Sequence, residues 1–156
     1  MPWNPWLSED RAALLAHGCV LHFAASNTLI AQGHVSDALY FMLKGVARVD
    51  RMTGDTASTV ATLEPGDLFG EVSFLQGETT TATVIAVSDV EVLAFDKPAL
   101  DHLLQQSPAF AARFFQHLAV VLAGRLRDTF AALPALSIEE VSPKTRWCEW
   151  PKTDTA

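Results

Sequence analysis

The sequence predicts one mainly β domain, a sandwich or a closed barrel, bracketed by helices, and three observations carry that expectation. At 156 residues the chain has the commonest size of a single domain and enough length to bury one hydrophobic core, which argues against two. Between residues 28 and 95, short runs rich in Val, Thr, Leu, Ile and Phe are punctuated by Gly45, Gly54, Pro65-Gly66, Gly77 and Ser88-Asp89. That is the texture of short strands joined by turns, with none of the long intervening helices of a parallel α/β unit. Apolar residues make up 49% of the chain and charged residues 19%, so burial can offset chain entropy and the segment is not a disordered one.

Taken in order, Ser8 followed by Glu9 and Asp10 reads as a helix start, with the hydroxyl capping an orphan amide and the acids opposing the positive end of the dipole. The segment RAALLAHG then forms a short helix stopped by Gly18. Strands are expected over 28–31, 39–43, 46–51, 58–63, 82–86 and 90–95. After Asp96 the period turns helical: PALDHLLQQ has Pro98 in its first turn, and a longer helix is capped by Ser107, opened by Pro108 and ended near Leu133 by Pro134. Along it, Phe115, Leu118, Leu122, Leu126, Phe130 and Leu133 form one apolar stripe, and Phe110, Phe114, Val121 and Gly124 form another. One stripe needs the β domain. The other is buried within the same subunit or joins two subunits through the helix over 108–133, and the two readings carry equal weight. Residues 8–133 are thus expected to be the domain and 134–156 a short, flexible tail, too short to hold a DNA-reading module.

The net charge of −7 provides no general electrostatic drive toward nucleic acid or an anionic membrane. Cys19 and Cys148 are two isolated thiols rather than a disulfide framework or zinc ligand set. No uninterrupted apolar run reaches the ~20 residues of a membrane span, and the N-terminus lacks a secretory pattern. The expectation is a cytoplasmic protein with no DNA or membrane partner of its own.

The informative stretch is LEPGDLFGEVSFLQGETTTATVIA, residues 63–86. Pro65-Gly66 makes a turn, Phe69 packs inward, Gly70 allows a close backbone approach, and residues 71–75 have the composition of one helical turn whose free amides would form a small anion-binding nest. A glycine before such a turn is by itself a weak signal. The order Phe69, Gly70, Glu71, Val72, Ser73, Phe74, Leu75, then Thr80, Thr81, Ala82, Thr83, Val84 is much stronger, because it resembles the phosphate-binding cassette of the cyclic nucleotide-binding domain family. Ile30-Ala31-Gln32-Gly33 and the run from Leu39 to Val46 are similar to further signatures of that family, and the resemblance covers most of residues 8–133.

The resemblance implies a double-stranded jelly-roll β-barrel with an N-terminal helix and two C-terminal helices. It implies a ligand site of Phe69, Gly70, Glu71, Val72, Ser73, Thr80, Thr81 and Ala82. There the amides after Gly70 and the Thr81 hydroxyl would meet a cyclic phosphate, and Glu71 would accept a hydrogen bond from the ribose. For Glu71 alone the plainer reading is a helix-start acid, and for Ser73 and Thr81 it is local backbone capping. The implied function is a non-enzymatic regulatory module taking cyclic AMP or cyclic GMP, with no cofactor and no metal, in which the ligand shifts the long helix between arrangements.

One slot departs from the pattern: Thr80 stands where the family places an arginine. A guanidinium gives a phosphate two charge-assisted bonds and a threonine at most one neutral bond. No Lys or Arg lies between Arg51 and Lys97, whereas Asp55, Glu64, Asp67, Glu71, Glu78, Asp89, Glu91 and Asp96 all do. Binding is therefore expected to be weak or altered, unless Arg48, Arg51 or a partner's helix supplies the cation, and Thr80→Arg is the change expected to tighten it. The alternative is a domain that kept the fold, lost the ligand and serves as an interaction or dimerisation scaffold. A metal enzyme of cupin type ranks well below both, because His17, His22, His34, His102 and His117 show no close H-x-H spacing and three lie on expected helices.

Overall fold

A computed structural model describes residues 7–133. Helix α1 covers Ser8–His17, followed by strands β1 (Cys19–Phe23), β2 (Thr28–Ile30), β3 (Ala38–Lys44), β4 (Ala47–Thr53), β5 (Thr56–Leu63) and β6 (Leu68–Phe69). Helix α2 (Glu71–Gln76) interrupts the strands before β7 (Thr83–Ala86) and β8 (Val90–Asp96), and α3 (Lys97–Gln106) and α4 (Pro108–Ala132) close the described chain. The strands form two four-stranded antiparallel sheets in the orders β1-β8-β3-β6 and β2-β7-β4-β5. This is the jelly-roll architecture that the resemblance implies.

The described residues fall into two units, 7–121 and 122–133. The first holds both sheets, α1 to α3 and the opening turns of α4. Between its sheets Ile30, Met42, Ala47, Leu63, Phe69, Val84, Ala86, Val90 and Val92 form one buried cluster, with Phe23, Leu29, Tyr40 and Val49 packed against it. Each large apolar side chain withdrawn from water in this way contributes about 1.5–3 kcal/mol. Leu14, Leu100, Leu103, Phe110, Phe114 and Leu118 extend the buried set to the helices. Of the second unit, residues 122–133 are described: they continue α4, with Thr129 Oγ1 donating to the Arg125 carbonyl at 2.8 Å.

Most sequence-derived boundaries hold to within one or two residues. Two strands were missed. β1 is largely exposed and lies at a sheet edge, so it shows no alternation, and β6 is only two residues long. The cap of α1 also differs: Leu7 is the N-cap and Ser8 is already helical, because the Asp10 carboxylate accepts from the Leu7 amide at 2.9 Å. Gly18 ends α1, its amide donating to the Leu14 carbonyl at 2.9 Å. α3 and α4 begin as expected, with the Asp96 carboxylate receiving the Ala99 amide at 2.8 Å and the Ser107 hydroxyl receiving the Phe110 amide at 3.2 Å.

The two stripes of α4 are divided otherwise than the sequence suggests. Leu118 is buried with Phe110 and Phe114, whereas Phe115, Leu126, Phe130 and Leu133 are exposed. The tail over 134–156, with Cys148, lies outside the described residues.

Candidate functional site

The Pro65-Gly66 turn docks on β3 through paired backbone bonds: the Gly66 amide to the Met42 carbonyl (2.9 Å) and the Met42 amide to the Asp67 carbonyl (2.8 Å). The chain then enters β6, pairing Leu68 with Phe41 and Phe69 with Tyr40. Phe69 points inward as expected, buried and stacked on Tyr40 with ring centroids 5.1 Å apart. Gly70 follows at φ +83°, and a Cβ there would stand 2.8 Å from the Ala38 carbonyl oxygen. The close approach that demands glycine is thus made to the chain's own β3, in a left-handed conformation that side chains rarely adopt.

From Gly70 the chain turns into α2, whose first residue is Glu71. The Gly70 carbonyl receives the Phe74 amide at 3.2 Å and the Ser73 hydroxyl at 3.3 Å, and the Gly77 amide donates to the Ser73 carbonyl at 2.8 Å. The Ser73 hydroxyl therefore caps locally. Glu71, Ser73 and Phe74 are all buried, Val72 is half-buried, and the Lys97 ammonium lies 5.0 Å from the centre of the Phe74 ring.

The slot that departs from the pattern is committed to structure. Thr80 is 6% exposed. Its hydroxyl donates to the Ala31 carbonyl (2.5 Å) and accepts from the His34 amide (3.2 Å). Its backbone donates to the His34 carbonyl (2.9 Å) and accepts from the Gly33 amide (2.8 Å). Thr80 thus stitches the cassette to the loop after β2. Thr81 beside it is exposed and Ala82 is half-buried.

Charge on the neighbouring strands is mostly neutralised. Arg48 Nε donates to Asp50 Oδ2 at 2.8 Å, and Asp50 Oδ1 accepts from the Thr59 hydroxyl at 2.7 Å. The Thr59 bond first, and then Arg48, holds the Asp50 carboxyl below its ordinary range. Lys44 lies 3.7 Å from Glu91, which also faces His22 at 3.8 Å. These three residues border a concavity of about 360 Å³ that Phe23 and Asp89 also line and that includes no cassette residue. Among the described residues, no group of three or more His, Cys, Asp or Glu side chains is placed to hold a metal ion. Cys19 is an exposed free thiol.

Comparison with known proteins identifies the family. The profile of the cyclic nucleotide-binding domain family matches residues 20–107, more than half of the chain. The chain therefore belongs to the cyclic nucleotide-binding domain family. Among curated relatives, it is 38% identical over 110 residues to a cyclic AMP receptor protein of Thermus thermophilus, a match covering 70% of this chain and 49% of that protein. It is 28% identical over 131 residues to a CRP-like cAMP-activated global transcriptional regulator of Mycobacterium tuberculosis, covering 83% of this chain and 57% of that one. Among solved structures, the Thermus thermophilus catabolite activator protein superposes with a TM-score of 0.72 at 30% identity, covering 82% of this chain and 61% of that chain. The chain thus spans about half the length of the curated relatives it matches. No helix among the described residues is long and apolar enough to cross a membrane.

Proposed function

We propose that this chain is a non-enzymatic, ligand-sensing regulatory module of the cytoplasm that binds cyclic AMP or cyclic GMP with reduced affinity. The observation that carries the reading is the Phe69-Gly70-Glu71 turn, built with a left-handed glycine and a short helix inside a domain of this family. In this reading the amides that open α2 and the exposed Thr81 hydroxyl meet the cyclic phosphate. Glu71 is acceptor-only when ionised and takes a ribose hydroxyl. In this reading the site calls for neither metal nor cofactor, and its output is a change in the arrangement of α4, no larger than the ligand's difference in affinity for the two states.

Affinity is reduced because Thr80 spends its hydroxyl on Ala31. The charge-assisted bonds of a cassette arginine are worth about 1.5–3 kcal/mol, roughly ten- to hundredfold in dissociation constant, and a cation that reaches the phosphate from another element recovers only part of that. Titration calorimetry with cyclic AMP and cyclic GMP up to millimolar concentration tests the proposal. Heat and a thermal shift with at least one nucleotide are expected; neither signal with either nucleotide would leave the scaffold reading. That second reading is favoured by the exposed Phe115, Leu126 and Phe130 of α4 and by Leu133 just after it, which suit a homodimer formed through this helix.

A further inference from the structure

We propose that Arg51 is the cation that meets the ligand's phosphate in this chain, approaching from β4 instead of from the cassette. The inference rests on the function proposed above and names the residue that would recognise the anion.

Strand register makes the case. β4 runs without interruption against β7, pairing Ala47 with Ala86, Arg48 with Ile85, Val49 with Val84 and Asp50 with Thr83. Ala47, Val84 and Ala86 are buried in the core between the sheets, and Val49 packs against them. Arg48 and Asp50 occupy the opposite face and neutralise each other there. Because side chains alternate along a strand, Arg51 returns to the face of Ala47 and Val49. Extending the register one step beyond its last pair, Asp50–Thr83, would bring it level with Ala82, next to Thr81. The bulge that disturbs β4–β5 pairing between Val49 and Asp50 does not alter this, since β4 stays in step with β7.

Two further observations support the assignment. β7 ends at Thr83, and the Gln32 side chain takes over its pairing role: its amide nitrogen donates to the Met52 carbonyl (3.2 Å) and its oxygen accepts the Met52 amide (2.8 Å). The backbone beside Arg51 is therefore held in line where the sheet would otherwise fray. Of the three cations on strands, Lys44 and Arg48 each lie within 4 Å of a carboxylate, whereas Arg51 makes no ion pair among the described residues. Arg51 is exposed, and with no carboxylate partner among the described residues its bidentate fork is available for a phosphate.

Calorimetry of cyclic AMP binding at low and high salt, on the parent chain and on Arg51→Gln, Arg51→Lys and Arg48→Gln, tests the assignment. Arg51→Gln is expected to weaken binding about ten- to hundredfold and to remove most of its salt dependence. Arg51→Lys should retain part of the affinity, and Arg48→Gln should leave it within about twofold of the parent. If the parent binds and Arg51→Gln binds equally well, or weakens with an unchanged salt dependence, the role of Arg51 is overturned while the proposed function stands. A parent chain that binds neither cyclic nucleotide overturns both.

Discussion

At Gly70, backbone geometry and packing impose the same choice of residue, since φ is +83° and the Ala38 carbonyl oxygen occupies the space next to an added Cβ. Gly70→Ala is expected to lose about 1–3 kcal/mol of stability from the backbone alone, read as a lower denaturation midpoint, with cyclic nucleotide binding abolished. Thr80 shows how structure revises a substitution that looks favourable on paper. Its hydroxyl serves the Ala31 carbonyl and the His34 amide from a buried position, so Thr80→Arg should lower the melting temperature without the tighter binding that the bare cassette comparison suggests. Thr80→Val isolates the same loss: leaving those partners unmade costs about 1–3 kcal/mol, whereas Thr80→Ser should stay near the parent. The identity of Thr80 was legible in the sequence. Its direction was not, because the loop at residues 31–34 that receives its hydroxyl is about fifty positions away along the chain.

Among elements, the contact that ties the two ends of the domain together is an ion pair. Arg113 of α4 donates through Nε to Asp10 Oδ2 at 2.8 Å and through Nη2 to Oδ1 at 2.6 Å, with Glu9 a further 3.9 Å partner. Asp10 is 2% exposed and also accepts the Leu7 amide, so a single carboxylate starts α1 and anchors it to α4. Arg113→Ala is expected to lower the thermal midpoint measurably more than Arg127→Ala in the same helix, because only the former strands a buried carboxylate. Equal effects in differential scanning calorimetry would refute the anchor. The acidic start of α1 could be read from composition, yet its cap could not, since Ser8 and Asp10 are equally good capping residues and only the partner on α4 selects between them. Strand β1 escaped notice for a related reason: an exposed edge strand carries no alternating pattern to read.

For the whole molecule, two properties follow from what the fold buries and what it leaves bare. Burial holds the His117 imidazole below its ordinary 6.5, and Arg113, more than any other influence, holds the Asp10 carboxyl below 3.8. For both groups the unfolded chain binds the proton more readily. Stability is therefore full above the unfolded values and declines as pH falls, first through His117 below 6.5 and then through Asp10 below 3.8. Urea denaturation across a pH series should show both steps, and His117→Phe should flatten the upper one. The exposed apolar residues of α4 are expected to make the chain dimeric in solution. Phe130, 60% exposed, is the residue to change: light scattering should give twice the chain mass for the parent and the chain mass for Phe130→Glu, and one mass for both would end the dimer proposal. By itself the sequence determined the class of fold and the turn at Gly70 that leads into a short helix, because strand alternation, turn glycines and helix caps are local properties written in neighbouring residues. Tertiary structure alone decided that Thr80 turns to the backbone, that Leu118 is buried while Phe115 is bare, and that β4 runs in step with β7 as far as Asp50 and Thr83. Each of these depends on which distant segment is brought alongside, and strand order and register are set by the packing of the whole core.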